Sequence, residues 1–294
     1  MRIQKERANA KINLYLDVVS LREDGFHDIK SVMHTVSLCD EISVKYIPSK
    51  VKYIKIFAHG NRYIPTDGKN LAYKAAELFM ERASITAGIE ITLQKNIPVA
   101  AGLAGGSADA AAVLRAMNKI FGRIFTDKAL AALGAELGSD IPFCLYGKTA
   151  LCEGRGEIMT KLPDNLKLHF VIASSNEHVS TPKAYKQLDE VFSGFDGSVK
   201  TDSEIRYSAL LSDMEEGTLS DASLFNIFES AVLPMCPKAA EVKHRLISLG
   251  AKASLMSGSG PSVFGVFSTE AEALMAKDVL KSDGINAHYA YSIT

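Results

Sequence analysis

Residues 98–108 read Pro98-Val99-Ala100-Ala101-Gly102-Leu103-Ala104-Gly105-Gly106-Ser107-Ala108 and run on into Asp109-Ala110-Ala111-Ala112. A glycine-rich turn that leads without a break into an alanine-rich helix is suited to holding phosphate. Glycine has no Cβ, so the backbone can approach a ligand with its N–H groups outward, and the helix that follows adds the positive end of its dipole. Ser107 is the expected N-cap of that helix. No lysine follows the glycines as in GxxxxGK[ST], and Gly102 is followed by Leu103 and Ala104, outside the GxGxxG spacing. Two common nucleotide folds are therefore disfavoured.

A second glycine segment, Met256-Ser257-Gly258-Ser259-Gly260-Pro261-Ser262, joins two predicted strands and suits either a ligand loop or a hairpin turn. Asp140, in Ser139-Asp140-Ile141-Pro142, is a carboxylate in what reads as a constrained turn, with Pro142 biasing Ile141 towards an extended conformation. Such an aspartate is either a cap or a general base. Lys11 and Asn13 lie two residues apart on one predicted strand, so they share a face and can address one ligand. Taken singly, a strand lysine is ordinarily solvated and a loop histidine such as His27 ordinarily hydrogen-bonded.

The elements that must carry these residues follow from periodicity. Ile12, Leu14, Leu16 and Val18 alternate with Asn13, Tyr15, Asp17 and Val19, the period of a strand with one buried face. The turn Arg22-Glu23-Asp24-Gly25 leads through Phe26-His27 to a second alternating stretch over 29–38, which makes the start a hairpin or meander. A helix over 70–83 and a strand over 89–93 precede the first glycine segment; the helix after it stops at Gly122. Its alanines at 108, 111 and 112 also have a purely structural reading, close packing on a sheet. A capped helix over 126–136 ends at Gly138.

Beyond residue 168 come a strand, a helix from Thr181, a polar connection, helices near 222–233 and 238–249, strands at 253–256 and 263–267, a helix at 270–282 and a strand at 287–293. Collapsing consecutive helices leaves β-α-β-β-α-β, the ferredoxin-like order. The fold class is therefore α+β, with a boundary near residue 160 separating domains 1–160 and 161–294. Residues 193–202, rich in Gly, Ser and Asp, read as a loop.

With 294 residues, 47% apolar composition and net charge -1, the chain can bury a full core and carries no global field for nucleic acid or an acidic membrane. Asn13 and Asp17 interrupt the apolar stretch behind the charged start, so no signal peptide or membrane span is expected and the reading is cytoplasmic. Cys39, Cys144, Cys152 and Cys236 are widely spaced and read as buried free thiols.

Together these segments resemble the GHMP kinase superfamily, whose members transfer the γ-phosphoryl group of ATP to a small acceptor. The resemblance rests on Ala10-Lys11-Ile12-Asn13, Asp24-Gly25-Phe26-His27, the segment from Pro98 to Ser107, Leu137-Gly138-Ser139-Asp140-Ile141-Pro142-Phe143, and Ser257-Gly258-Ser259-Gly260, in that order along nearly the whole chain. It implies a two-domain GHMP kinase fold, with a β-rich N-terminal ATP-binding domain and a ferredoxin-like C-terminal substrate domain. Asp140 takes the place of the catalytic base and Lys11 that of its partner. Residues 98–108 would cradle the ATP phosphates, with Asn70 beside the nucleotide.

Within that superfamily the resemblance, which includes the Asp24–His27 block, implies a cytidine diphosphate ester of methylerythritol as acceptor, phosphorylated at its 2-hydroxyl in the non-mevalonate route to isoprenoids. Asn13, Phe26, His27, Thr181 and Tyr185 fall at substrate positions, with Tyr185 stacking on the cytosine. ATP transfer implies Mg²⁺, whose protein ligands the resemblance leaves unassigned. A monomer or homodimer is expected, without nucleic-acid or membrane partners. Phe26 stands where tyrosine is frequent, and Ala104 and Ala108 replace a glycine and a serine. The competing readings are a GHMP kinase for homoserine, mevalonate or a sugar, and a non-catalytic ATP-binding sensor.

Overall fold

The computed structural model describes residues 2–60, 63–175, 177–192 and 198–293. These form two compact units, each assembled from several stretches of chain. The first comprises Met1–Ala10, Cys39–Val99 and Ala104–Gly147; the second comprises Lys11–Leu38, Ala100–Leu103 and Lys148–Thr294. The strands β1 (Arg2–Leu21) and β2 (His27–Ile47) are long enough to contribute to both.

In the first unit, β4 (Gly88–Gln94) pairs antiparallel with the end of β2 and parallel with β3 (Tyr53–His59). Along β4, Ile89, Ile91 and Leu93 are buried while Glu90 and Thr92 are partly exposed, as strand alternation requires. The apolar face is covered by α1 (Leu71–Arg82), α2 (Gly105–Ile120), α3 (Asp127–Leu137) and the short α4 (Ile141–Tyr146). Phe79, Met80, Ala108, Ala111 and Ala112 share one core with the β4 residues, so the alanines do permit close packing. Thr126 caps α3 by accepting the N–H of Ala129, as expected. Ser139 and Asp140 form the expected turn, closed by Ile141 N–H to Gly138 O at 3.2 Å, but Ile141 is not extended: it opens α4, with Asp140 at the N-cap. Pro142 is tolerated there because the first helical turn needs no N–H from it.

In the second unit, β1 and β2 form the expected hairpin around Arg22–Phe26, closed by Arg22 N–H to Phe26 O at 2.8 Å. The strand β5 (Thr149–Gly154) pairs antiparallel with β2, and β6 (Ile158–Lys161) with β5. On β1 both faces are covered: Lys11, Asn13 and Tyr15 are as buried as Ile12, Leu14 and Leu16. The alternation therefore separates two faces without making either one solvent-facing.

The remaining strands β7 (His169–Ser174), β9 (Ala253–Met256), β10 (Val263–Phe267) and β11 (Asn286–Tyr291) form an antiparallel sheet in the order β11-β7-β10-β9. That is the ferredoxin-like order expected from β-α-β-β-α-β. Between β7 and β9 lie α5 (Thr181–Phe192), α6 (Ser198–Glu216), β8 (Phe225–Asn226), α7 (Glu229–Val232), a 3₁₀ turn at Leu233–Met235 and α8 (Pro237–Ser248); α9 (Glu270–Ser282) joins β10 to β11. Two segments differ from expectation. The stretch 222–233 is a short strand and a short helix, because Phe225 and Asn226 pair in parallel with Tyr15 and Leu16 of β1. The loop expected at 193–202 gives way to helix from Ser198; residues 193–197 lie outside the described residues.

None of the four cysteines is in a disulfide; Cys152 and Cys236 are buried, but Cys39 and Cys144 are only half-buried. Among the described residues no helix is long and apolar enough to cross a membrane.

Candidate active site

The first glycine segment enters α2 differently from the expected capping. The helix begins at Gly105, two residues before Ser107, and its N-cap is Ala104 with φ 56° and no side-chain cap. Ser107 therefore lies inside the first turn. Left-handed backbone recurs at Ala100 (φ 54°), Gly102 (φ 73°) and Ala104 (φ 56°). For an alanine that conformation costs about 1–2 kcal/mol, strain that the surrounding structure must hold in place. Ala104 has no side chain able to cap α2, so it leaves the first-turn N–H donors without a side-chain cap. A Cβ at Gly105 would lie 3.1 Å from Ile97, whereas one at Gly106 would meet only Leu71, at 3.6 Å. Packing thus restricts Gly105 but not Gly106.

In the second unit the two glycine segments lie against each other. Gly102 has left-handed backbone, and a Cβ on it would run into the carbonyl oxygen of Ser257, whose Oγ in turn donates to Gly102 O at 3.0 Å. Lys11 is beside both: its N–H donates to Leu103 O at 3.2 Å, and its Nζ would be 3.4 Å from a Cβ on Gly258. The ammonium donates to Asn13 Oδ1 at 2.6 Å, Asn13 Nδ2 to Ser31 Oγ at 2.8 Å, and Ser31 Oγ to Tyr15 O at 2.8 Å. This chain fixes the orientation of the Asn13 amide and points its oxygen at Lys11. Lys11 is 4% exposed and makes no ion pair among the described residues. Within the second unit the structure thus brings together Lys11, Asn13, residues 100–103 of the first glycine segment and the second glycine segment.

Asp140, in the first unit, is half-buried, and its side chain does not cap the helix it precedes. Asn70 is the N-cap of α1: Oδ1 accepts Ala72 N–H at 2.9 Å and Nδ2 donates to Pro65 O at 2.7 Å, so its side-chain groups hold the helix start.

His27 stacks on Tyr185 with ring centres 4.6 Å apart, and its Nε2 is 2.8 Å from Asp189 Oδ1. Tyr185 meets the edge of Phe228 at 4.8 Å. The two aromatic groups form a pair already in contact, with no base-sized gap between them. Phe26 is 55% exposed, under the guanidinium of Arg155 at 5.2 Å. Thr181 Oγ1 lies 3.0 Å from Ser259 Oγ, which links α5 to the second glycine segment.

Several organising residues escaped the sequence reading. Asn226 Nδ2 donates to Met256 O at 2.7 Å and Gly258 O at 2.8 Å, and Glu229 Oε1 accepts Met256 N–H at 2.8 Å. A polar Asn226 inside the run Leu224-Phe225-Asn226-Ile227-Phe228 was the available signal. In the first unit Asp40, Lys95 and Asp109 form a buried ionic cluster. Burial pushes the Asp109 carboxyl up to about 7, against the pull of Lys95 and with a further push from Asp40. Burial also pulls on Lys95, but the two carboxylates outweigh it and hold the ammonium above its usual range.

The family model for the GHMP kinases N terminal domain matches residues 70–148, and that for the GHMP kinases C terminal matches 205–286. A 4-diphosphocytidyl-2-C-methyl-D-erythritol kinase of Caldicellulosiruptor saccharolyticus is 44% identical over 277 residues, covering 94% of this chain and 92% of its own. The kinase of that name from Macrococcus caseolyticus is 41% identical, covering 94% of each chain. A crystal structure of 4-(cytidine 5'-diphospho)-2C-methyl-D-erythritol kinase superposes with a TM-score of 0.81 at 31% identity, over 99% of this chain and 100% of its own. This chain therefore belongs to the GHMP kinases, in the 4-diphosphocytidyl-2-C-methyl-D-erythritol kinase family.

Proposed function

We propose that this chain transfers the γ-phosphoryl group of ATP to the 2-hydroxyl of 4-diphosphocytidyl-2-C-methyl-D-erythritol, a step of the non-mevalonate isoprenoid route. The observation that carries the reading is Lys11. A buried ammonium whose described side-chain partner is the neutral Asn13 lacks a counter-charge, and a phosphorylated ligand supplies one. In the proposed mechanism Asp140 accepts the proton of the acceptor hydroxyl. Lys11 offsets the negative charge that develops during transfer, which depends more on alignment than on covalent chemistry. Residues 98–108 hold the phosphates through backbone N–H groups, and Gly106, which packing does not require, gives the ligand close approach. Asn70 belongs beside the nucleotide through its backbone and neighbours, since its side chain caps α1.

Among the described residues no three His, Cys, Asp or Glu side chains converge to hold a metal ion. Mg²⁺ fits this site as an ion that arrives on the triphosphate and keeps much of its water. On the acceptor side, Nε2 of His27 is engaged by Asp189, which leaves Nδ1 to read a base edge; Phe26 and Tyr185 provide ring faces, with Asn13 and Thr181 nearby in sequence to the segments that bind. The division into an ATP-binding part, 1–160, and a substrate-binding part, 161–294, and action in the cytoplasm as a monomer or homodimer belong to the same proposal.

A coupled kinase assay with ATP tests it on four acceptors: the cytidine diphosphate ester, its uridine analogue, homoserine and mevalonate. The cytidine ester is expected to be the preferred acceptor. Each buried group left unpaired by uracil costs about 1–3 kcal/mol, a factor of about 5 to 150 in kcat/KM. Equal use of both nucleotides overturns the cytidine assignment, preference for homoserine or mevalonate moves the chain to another acceptor, and no turnover on any leaves the sensor reading.

A further inference from the structure

Asp40, Lys95 and Asp109 come from three elements that meet at the two ends of the first glycine segment. Lys95 directly follows β4 and precedes Pro98 by three residues; Asp109 is in the second turn of α2, three residues after Gly106. Lys95 Nζ bonds Asp109 Oδ2 at 2.6 Å and also Asp40 Oδ2. Asp40, on β2, uses its other oxygen to accept the backbone N–H groups of Asn96, at 2.5 Å, and Ile97, at 2.8 Å. All three side chains are nearly inaccessible, at 0%, 4% and 4% exposure for Asp40, Lys95 and Asp109. One ammonium thus ties the chain entering the segment to the helix leaving it. A Cβ on Gly105 would lie 3.8 Å from that ammonium.

The charges do not balance if every group is ionised: two carboxylates and one ammonium leave an excess negative charge in the core. Asp109 Oδ1, moreover, is buried without a hydrogen-bond partner. A buried uncompensated charge is strongly unfavourable, and a charge of this sign also opposes a polyphosphate. A single proton on Asp109 removes the excess. Lys95 from the end of β4 and Asp40 from β2 are the charged side chains that act on Asp109 there, and burial raises its carboxyl to about 7.

We propose that Asp40, Lys95 and Asp109 are positioning residues that clamp both ends of the phosphate-binding segment, and that the clamp works in its neutral form with the proton on Asp109. This rests on the reading of residues 98–108 as the ATP segment. Asp109→Asn reproduces the shape and charge of the protonated carboxyl. Asp109→Leu leaves Lys95 and Asp40 as a matched pair but cuts the tie to α2.

The test is steady-state kinetics of the full chain from pH 6 to 8.5, with saturating cytidine ester and varied ATP, then the reverse. Asp109→Leu is expected to raise the KM for ATP by about tenfold or more while the acceptor KM stays within about twofold, since loss of alignment falls on the ligand the segment holds. Asp109→Asn is expected to keep the parent's ATP KM at pH 6 and to rise less than the parent towards pH 8.5. The titration of ATP itself is common to both proteins and cancels in their ratio. An unchanged ATP KM in Asp109→Leu overturns the clamp. Parallel pH profiles for Asp109→Asn and the parent overturn the proton assignment. Gly105→Val separates the underlying reading: if it too leaves the ATP KM unchanged, residues 98–108 do not hold the phosphates, whereas an effect there without one in Asp109→Leu defeats the clamp alone.

Discussion

The ammonium of Lys11 is pinned by Asn13, which is pinned by Ser31, so the lysine holds its place before any ligand arrives. In the proposed mechanism that preorganisation means the cost of orienting the charge is met in folding and not during transfer. Asp140 has a different setting: a half-buried carboxylate at the N-cap of a short helix whose capping bond it does not make. Asp140→Asn keeps the size and polarity of that side chain but cannot take up the acceptor proton. It is expected to leave the melting temperature and ATP affinity near the parent values and to lower kcat by about 10²–10⁴-fold, the usual worth of general-base assistance. Calorimetric titration with ATP beside the kinetic assay checks this, and a fall of less than about tenfold would count against Asp140 as the base.

At the scale of elements, Gly102 and the second glycine segment pack directly on each other within the second unit. Gly102 must be left-handed and must lack a Cβ because the Ser257 carbonyl occupies the space, while Asn226 and Glu229 hold the other segment from behind. Gly102→Ala combines backbone strain with a steric conflict, and is expected to cost roughly 1–3 kcal/mol in stability and to weaken ATP as well. Urea unfolding measures the first and the ATP KM the second. Full stability with normal ATP kinetics would mean that the segments separate freely. The reading of each segment was possible from glycine spacing; their contact was not, since 155 residues separate Gly102 from Ser257.

For the whole molecule, binding and folding are linked. A ligand that binds only the folded chain at about 100 times its Kd stabilises it by about 2.7 kcal/mol, so ATP is expected to raise the melting temperature in the parent and equally in Asp140→Asn. Differential scanning fluorimetry over an ATP series checks this. A variant that loses the ATP-induced rise while keeping its ligand-free melting temperature has lost the nucleotide site and not the fold.

Local patterning determined much of this protein. The strand at β4, the hairpin of β1 and β2, the capped helix α3 and the β-α-β-β-α-β order of the last sheet could all be read from period, caps and turns, because each rests on interactions between near neighbours. The motif residues Lys11, Asn13 and Asp140 were likewise visible as types at spacings. Tertiary structure decided the rest. The left-handed entry through Ala104 displaced the expected cap at Ser107, and pairing with β1 made a strand of Phe225–Asn226, where local preference suggested helix. The partner of His27 is Asp189, 162 residues away, and the clamp around Lys95 joins Asp40 and Asp109 across 55 and 14 residues. A buried polar side chain takes its role from the groups that satisfy it, and those groups are brought to it by the fold, not by the neighbouring sequence.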